Sequence, residues 1–314
     1  MFGEAKLGSR SERVLITGGG GFTGRPLAER LRQDGYEVLA LGHEATDAVA
    51  LNADLRDLDS LTRTLAQTRP DAIVHLAGIA SPTYGNVGKI YAANVVGTVN
   101  LFAALSAAKI EPRIVIVASS AQVYEVTGSD MPIAEEGPLA PRTHYAVSKR
   151  ALEEISALYS DQFRIIITRP FNYTGPGQSP EFIVPKIVRH YVEKQREIRV
   201  GNLDLFRDFS DICRVVEAYS RLVSKSIKPT TVNICSGHAV YLADILTILD
   251  EISGHSMRAV TDPSLVRRDE PRFIVGSTSR LEALVGPLPN PDFRKTLTRI
   301  YASFCSPLGT ASRN

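Results

Sequence analysis

The chain has 314 residues, 22% charged and 44% hydrophobic, with a formal net charge of +2. That length buries a full core in one large or two interlocked domains, and the charge balance without a dense Lys/Arg block excludes an obligate nucleic-acid partner. No apolar run reads as long enough to cross a bilayer, Met1–Glu12 is polar, and Cys213, Cys235 and Cys305 lack metal or disulfide spacing, so a reduced cytoplasmic protein without a bound metal is predicted.

In chain order, Arg13–Thr17 is a short apolar run that breaks into Gly18-Gly19-Gly20-Gly21-Phe22-Thr23-Gly24. A helical pattern through Leu27 and Leu31 stops at Asp34-Gly35, and Glu37–Leu41 reads as a second strand. Helix is predicted over Asp57–Thr68, Asn86–Ala108 and Tyr145–Tyr159, and strand over Ala72–Leu76, Arg113–Ala118 and Arg164–Thr168. Strands alternating with helices of ten or more residues mean βαβ units, and Val/Ile-rich strands without polar alternation fit a sheet covered on both faces. The predicted fold is therefore α/β, a doubly wound Rossmann-type parallel sheet. After Arg169-Pro170 the rhythm changes: Pro and Gly cluster over Pro170–Pro185, a helix runs Phe182–Lys194, and Thr231–Ile234 resembles the sheet strands again. This predicts a dinucleotide-binding domain over 13–173 and 207–237, interleaved with a smaller mixed lobe over 174–206 and 238–305. Residues 1–12 and 306–314 read as loose ends.

A glycine loop between a strand and a helix is an anion site, because glycine lets the backbone approach a pyrophosphate and the helix N-terminus presents free N–H groups. The loop satisfies both Gly18-x2-Gly21-x2-Gly24 and Gly19-x-Gly21-x2-Gly24, which predicts dinucleotide binding. An acidic residue ending the second strand would favour NAD. Here the strand ends Leu41-Gly42-His43-Glu44; Glu44 arrives late and Gly42-His43 leaves room for a 2′-phosphate, so NADPH is preferred over NADH. Asp54-Leu55 is compatible with an adenine contact and equally with ordinary helix capping.

Tyr145 and Lys149 stand four residues apart, on one helical face with roughly 5–6 Å between Cβ atoms. A cation there favours phenolate, so Tyr145 could exchange a proton near neutral pH, below its free value of about 10. Spacing alone is also met by a surface tyrosine and a solvated lysine. Ser119-Ser120 ends the fourth long strand, where parallel-sheet sites lie. A hydroxyl there can bind a substrate oxygen beside Tyr145, or simply satisfy a turn.

Taken in this order, these segments resemble the extended short-chain dehydrogenase/reductase family that works on nucleotide sugars. The resemblance spans residues 13–285 and includes Thr17–Gly24, His75-Leu76-Ala77-Gly78, Asn94, Ser119-Ser120, Tyr145 with Lys149, and Arg169-Pro170-Phe171-Asn172. Within the family it is closest to the reductases that convert GDP-4-keto-6-deoxymannose to GDP-rhamnose. The matching segments are Gly175-Pro176-Gly177-Gln178, Val200–Asp204 with Arg207-Asp208-Phe209, Asn233–Gly237, and Asp262-Pro263 with Arg267-Arg268.

The resemblance implies that Tyr145 is the general acid, that Lys149 lowers its pKa and holds the nicotinamide ribose, and that Ser120 orients the keto oxygen. Ser120 is preferred to Ser119 because the family's hydroxyl lies four residues before the tyrosine matching Tyr124. NADP or NAD would be held by Gly18, Gly21, Phe22, Thr23, Gly24, His43, Asp54, Leu55, Leu76, Ala77, Gly78, Asn94, Tyr145, Lys149, Pro170 and Phe171. The sugar nucleotide would meet Ser120, Gln122, Asn172, Val184, Lys186 and Arg199, with Arg207 and Arg268 on the pyrophosphate, a task suited to a planar guanidinium. Family members commonly form homodimers through a four-helix bundle, for which Asn94–Ala108 and Tyr145–Tyr159 would serve. The family's 4,6-dehydratases carry an acid two places after the catalytic hydroxyl; here Gln122 stands there, and an amide cannot deliver a proton as a carboxylic acid does. Dehydration is therefore disfavoured, and the segment-level resemblance to the reductases implies reduction of a C4 ketone. C4 epimerisation, or reduction of a dTDP-linked sugar, remains compatible with the same residues. Non-catalytic dinucleotide-sensing relatives usually lack the Tyr or the Lys, and both are present.

Overall fold

The computed structural model describes residues 11–42, 51–80, 85–125, 130–266, 270–289 and 291–306. The strands are β1 (Arg13–Thr17), β2 (Glu37–Gly42), β3 (Leu51–Asn52), β4 (Ala72–His75), β5 (Ile114–Ala118), β6 (Ile165–Pro170), β7 (Asn172–Thr174), β8 (Glu197–Val200), β9 (Phe206–Asp211), β10 (Thr230–Ile234), β11 (Ala239–Tyr241), β12 (Arg258–Thr261) and β13 (Phe273–Ile274). The helices are α1 (Gly24–Gln33), α2 (Leu58–Thr68), α3 (Val87–Tyr91), α4 (Gly97–Ala107), α5 (His144–Leu158), α6 (Ile183–Val192), α7 (Ile212–Ser224), α8 (Asp244–Ser253), α9 (Ser279–Val285) and α10 (Phe293–Cys305).

Seven parallel strands form the main sheet in the order β10-β6-β5-β4-β1-β2-β3. Central strands such as β1 and β4 bury nearly every side chain, which is why their sequences run apolar without alternation. Val14, Ile16, Ile116 and Val232 face α1, α7 and α9; Leu15, Ile73, Val115 and Val117 face α2, α4 and α5. Strand order reverses between β1 and β4, so the crevice beyond their carboxyl ends lies at the glycine loop and at 76–78.

The smaller lobe holds a sheet of β11-β9-β13 with β7 on β9, the pair β12-β8, and a core of α6, α8 and α10 side chains. Two boundaries differ from expectation. β9 was expected with the dinucleotide domain but pairs β7, β11 and β13, and only from α7 onward does the chain rejoin the main sheet. α9, expected in the small lobe, packs Leu281 and Val285 onto α7 instead. Asp211 links the lobes: its carboxylate caps α7 through the Cys213 N–H at 2.8 Å and accepts from Thr296 (2.7 Å) and Arg299 (3.0 Å) of α10.

The helix expected over Asn86–Ala108 is not uniform. Asn86 caps α3, and Ala92–Val96 then opens into a π-helical turn before α4. Contrary to the reading of the apolar runs, Val87–Ala107 is long and apolar enough by composition to cross a membrane, with a mean hydropathy of 1.5. Its apolar residues Leu101, Phe102 and Leu105 are packed into the sheet layer, and its buried Asn94 and Thr98 bond inward.

Candidate active site

The site begins where β1 ends. Gly18 turns at φ +72°, and a Cβ there would stand 2.9 Å from the Ala77 backbone, so the loop lies directly on the 76–78 segment after β4. A Cβ on Gly24 would overlap the Gly18 carbonyl oxygen; lacking one, the start of α1 sits tight against the loop. A backbone packed this closely, ending at a helix N-terminus, is the cradle a dinucleotide pyrophosphate requires, and the residues present fit it. Phe22 and Thr23, expected on the cofactor, are both held by Tyr173: the rings of Phe22 and Tyr173 stack at 5.9 Å, and the Thr23 and Tyr173 hydroxyls lie 3.0 Å apart. Tyr173 was missed by sequence reasoning. Its place just after the Arg169–Asn172 motif was the available signal.

The second wall is built around Asn94, fully buried in the π turn. Its side chain accepts from Ile79 N–H at 2.8 Å and donates to Ile79 O (3.2 Å) and to Ser148 Oγ (2.9 Å), whose own hydroxyl donates to Tyr145 O at 2.7 Å. Asn94 thereby ties the turn after β4 to the first turn of α5. Gly78, at φ +155°, lies against Asn94: a Cβ there would stand 2.6 Å from the Asn94 Oδ1, with Lys149 Nζ beyond it at 3.6 Å. Beneath them His75, quoted in the family segment but given no role there, bridges Thr17 (2.7 Å) and Thr98 (3.0 Å) through its two ring nitrogens. Burial, reinforced by the Lys149 charge, pulls its pKa down to about 3, so it is neutral.

α5 starts at Thr143, whose hydroxyl accepts from Ala146 N–H at 3.1 Å, and this fixes the phase that turns Tyr145 and Lys149 inward. The Tyr145 phenol faces the Ser120 hydroxyl, which acts to lower its pKa. Ser120 follows β5 by two residues, and its Oγ accepts the Gln122 N–H at 3.2 Å. The three expected catalytic residues are thus together and buried. One expectation is corrected: Lys149 is not what sets the Tyr145 phenol. Nζ donates to Ala118 O at 2.7 Å, burial pushes Tyr145 up to about 12 against a smaller lowering by Ser120, and burial pulls Lys149 down to about 8 against a raising by Glu153. At neutral pH the site holds an un-ionised phenol and an ammonium.

The remaining expected residues are placed unevenly. Leu76 and Ala77, expected on the cofactor, follow β4, and Pro170 and Phe171 stand at the end of β6, with Phe171 packed on Tyr124 and Cys235. Leu55 lies beneath Gly97, and Asp54 is engaged by Arg56 beside it. Gln122 and Asn172 are exposed at the cleft. Val184 is 1% exposed in the small-lobe core, so its side chain presents no surface to a ligand. Lys186 and Arg199 come together: Nζ donates to Arg199 O at 3.2 Å, and both cations hold the Asp262 carboxyl below its usual range, after its own bonds to Ser264. Arg207 is not a free guanidinium: it is buried, bonded to the carbonyls of Phe206 and Arg272 and paired with Glu270 at 3.1 Å. His43 and Arg268 lie outside the described residues. No group of His, Cys, Asp and Glu able to hold a metal occurs among the described residues.

Residues 14–235 match the NAD dependent epimerase/dehydratase family. The chain is 34% identical to a GDP-6-deoxy-D-talose 4-dehydrogenase from Aggregatibacter actinomycetemcomitans, covering 91% of this chain and 94% of that protein. It is 30% identical to a GDP-6-deoxy-D-mannose reductase from Pseudomonas aeruginosa, covering 94% and 97% respectively. Among solved structures, RMD from Pseudomonas aeruginosa complexed with NADPH superposes with a TM-score of 0.82 at 31% identity, over 95% of this chain and 99% of that one.

Proposed function

The chain belongs to the NAD dependent epimerase/dehydratase family, and from that premise we propose that it reduces the C4 ketone of a nucleotide-linked 4-keto-6-deoxyhexose, with GDP-4-keto-6-deoxymannose as the favoured substrate. The observation that carries this reading is the Ser120–Tyr145 hydroxyl pair at the carboxyl edge of the sheet, protonated at neutral pH, with an amide at position 122. Ketone reduction needs an acid loaded before hydride arrives; water elimination needs a carboxylic acid where Gln122 stands. The relatives named for a 4-dehydrogenase of GDP-6-deoxytalose and a reductase of GDP-6-deoxymannose support the GDP sugar.

When bound, the reduced nicotinamide supplies the hydride that becomes the C4 hydrogen. Ser120 donates to the keto oxygen and orients it; Tyr145 gives that oxygen its proton, completing the alcohol. Lys149, near Gly78 and bonded to Ala118 O, would hold the nicotinamide ribose. NADPH is favoured over NADH, supported by the Gly42 end of β2 and by the NADPH-bound relative. A homodimer through the 94–108 segment and α5 is supported by exposed apolar residues, Val96 and Val99 on the first and Val147 and Leu158 on the second.

The test is loss of reduced-nicotinamide absorbance with NADPH or NADH and GDP-4-keto-6-deoxymannose, with the dTDP-linked keto sugar in parallel. Oxidation with the GDP sugar alone is the expected result. Oxidation with the dTDP sugar alone keeps the chemistry and changes the substrate. No oxidation with either overturns the reductase, and C4 epimerisation is then sought by product analysis without added cofactor.

A further inference from the structure

We propose that Glu153, paired with Arg169, is a positioning residue for Ser120 and Lys149: one buried carboxylate fixes the tip of β5 against α5 and faces the lysine from the next helical turn. Tyr145, Lys149 and Glu153 recur every fourth residue and so share the inner face of α5. Three consecutive residues of the β5 tip meet those three turns. Ala118 O accepts from Lys149 Nζ at 2.7 Å, Ser119 Oγ donates to Glu153 Oε1 at 2.6 Å, and the Ser120 hydroxyl faces the Tyr145 phenol and acts to lower its pKa. The middle contact is the one that does not touch substrate, and it fixes the twist with which Ser120 is presented.

Arg169 holds the carboxylate at two points, Nε to Oε1 at 2.9 Å and Nη2 to Oε2 at 2.8 Å, and this aims Oε1 at Ser119. Arg169 is itself fixed by Glu135 O at 3.1 Å and by the Tyr124 ring, 4.8 Å below its guanidinium. Both partners are over nine-tenths buried, so neither charge is sustainable without the other. Other charged groups nearby are Arg150 on the same helix, 3.2 Å from Oε2, and beyond Arg169 the Glu135 carboxylate with Arg280 at 3.8 Å. Towards Lys149, His75 of β4 and Tyr145 are uncharged at neutral pH, and Glu153 is the carboxylate that acts on it.

The inference rests on the reductase reading for turnover, so its experiment also reads Lys149 directly. Trace acetylation of the full-length protein is followed against pH, with Lys149 quantified by peptide mass spectrometry, beside kcat for the keto sugar. In Glu153→Gln the amide can still accept from Ser119, but Arg169 and Arg150 are left unbalanced; the Lys149 reactivity midpoint moves down by about one pH unit. In Glu153→Gln/Arg169→Gln both charges go and the midpoint returns toward wild type. Ser119→Ala keeps both charges, so the midpoint stays and kcat falls about tenfold through lost orientation. A Glu153→Gln protein that melts lower but leaves the midpoint unmoved makes the pair a structural staple only, and full kcat in Ser119→Ala overturns the positioning role. If Glu153→Gln does not fold, the charge-neutral double variant and Ser119→Ala decide. Absence of turnover in wild type strikes the reductase reading alone, since the acetylation midpoints remain readable.

Discussion

Replacing Asn94 by alanine removes the link between the turn after β4 and the start of α5. Three hydrogen bonds go, two to Ile79 and one to Ser148, at 2.8, 3.2 and 2.9 Å. The position is fully buried, so the partners lose water as well as the amide. Net loss for such a cluster is about 2–4 kcal/mol, since orphaned buried groups cost more than the bonds are worth on average. At about 2–3 °C per kcal/mol for a chain of this size, the melting temperature falls by about 5–10 °C. The local effect is larger: Gly78 and Ile79 lose their anchor beside Lys149, so affinity for the nicotinamide dinucleotide falls by about tenfold or more, equivalent to about 1.4 kcal/mol. Calorimetry and titration of cofactor against intact protein measure the two independently. A variant melting within about 1 °C of wild type with unchanged cofactor affinity refutes the reasoning, because it would mean the π turn is held by packing alone.

Tyr145→Phe keeps the buried ring and loses the proton; turnover drops by about 10²–10⁴-fold while cofactor titration is nearly unchanged, and comparable steady-state rates would remove Tyr145 from the chemistry. Gly24→Ala forces a Cβ into the Gly18 carbonyl, so cofactor binding is lost in a direct titration; retained binding would show that the loop and α1 can separate. His75 has its pKa pulled to about 3 by burial, below its ordinary value of about 6.5, so its stabilising contribution is complete above pH 6.5 and is lost as pH falls towards 3. Urea midpoints should therefore show about 2 kcal/mol lost between pH 7 and pH 5 from this group, and His75→Gln should flatten that slope; an unchanged slope would place the acid sensitivity elsewhere.

The sheet strands were legible because a strand buried on both faces must be apolar throughout, as β1 and β4 are. The glycine loop was legible because close backbone approach admits no Cβ at Gly18 or Gly24. What was hidden depended on partners distant in sequence. Tyr173 meets Thr23 across 150 positions, and Arg207 is taken out of circulation by Glu270, 63 positions on. The π turn was hidden for another reason: Ala92-Ala93-Asn94-Val95-Val96 is as compatible with an ordinary helical turn, and only the inward bonds of Asn94 distinguish it. The β9 boundary was misplaced because a buried strand reads alike whichever sheet receives it.

The distribution of anchors separates two tasks. At the carboxyl edge of the seven-stranded sheet, Gly18 packs on Ala77, Asn94 bonds Ile79 and Ser148, Lys149 bonds Ala118 O, and Ser120 faces Tyr145. Lys186 and Arg199 lie instead on α6 and β8 of the small lobe, around Asp262, with no described bond to the catalytic set. A ligand spanning both must be gripped at its distal end by the lobe while its reacting carbon meets a fixed acid. The hydride and proton donors are then constant in space, and which face of the sugar they meet depends on how the lobe holds the remainder. On the proposed reductase reading, substitutions at 186 and 199 bear on substrate choice and on stereochemistry at the reacting carbon, whereas those at 94, 145 and 149 bear on whether reaction occurs at all.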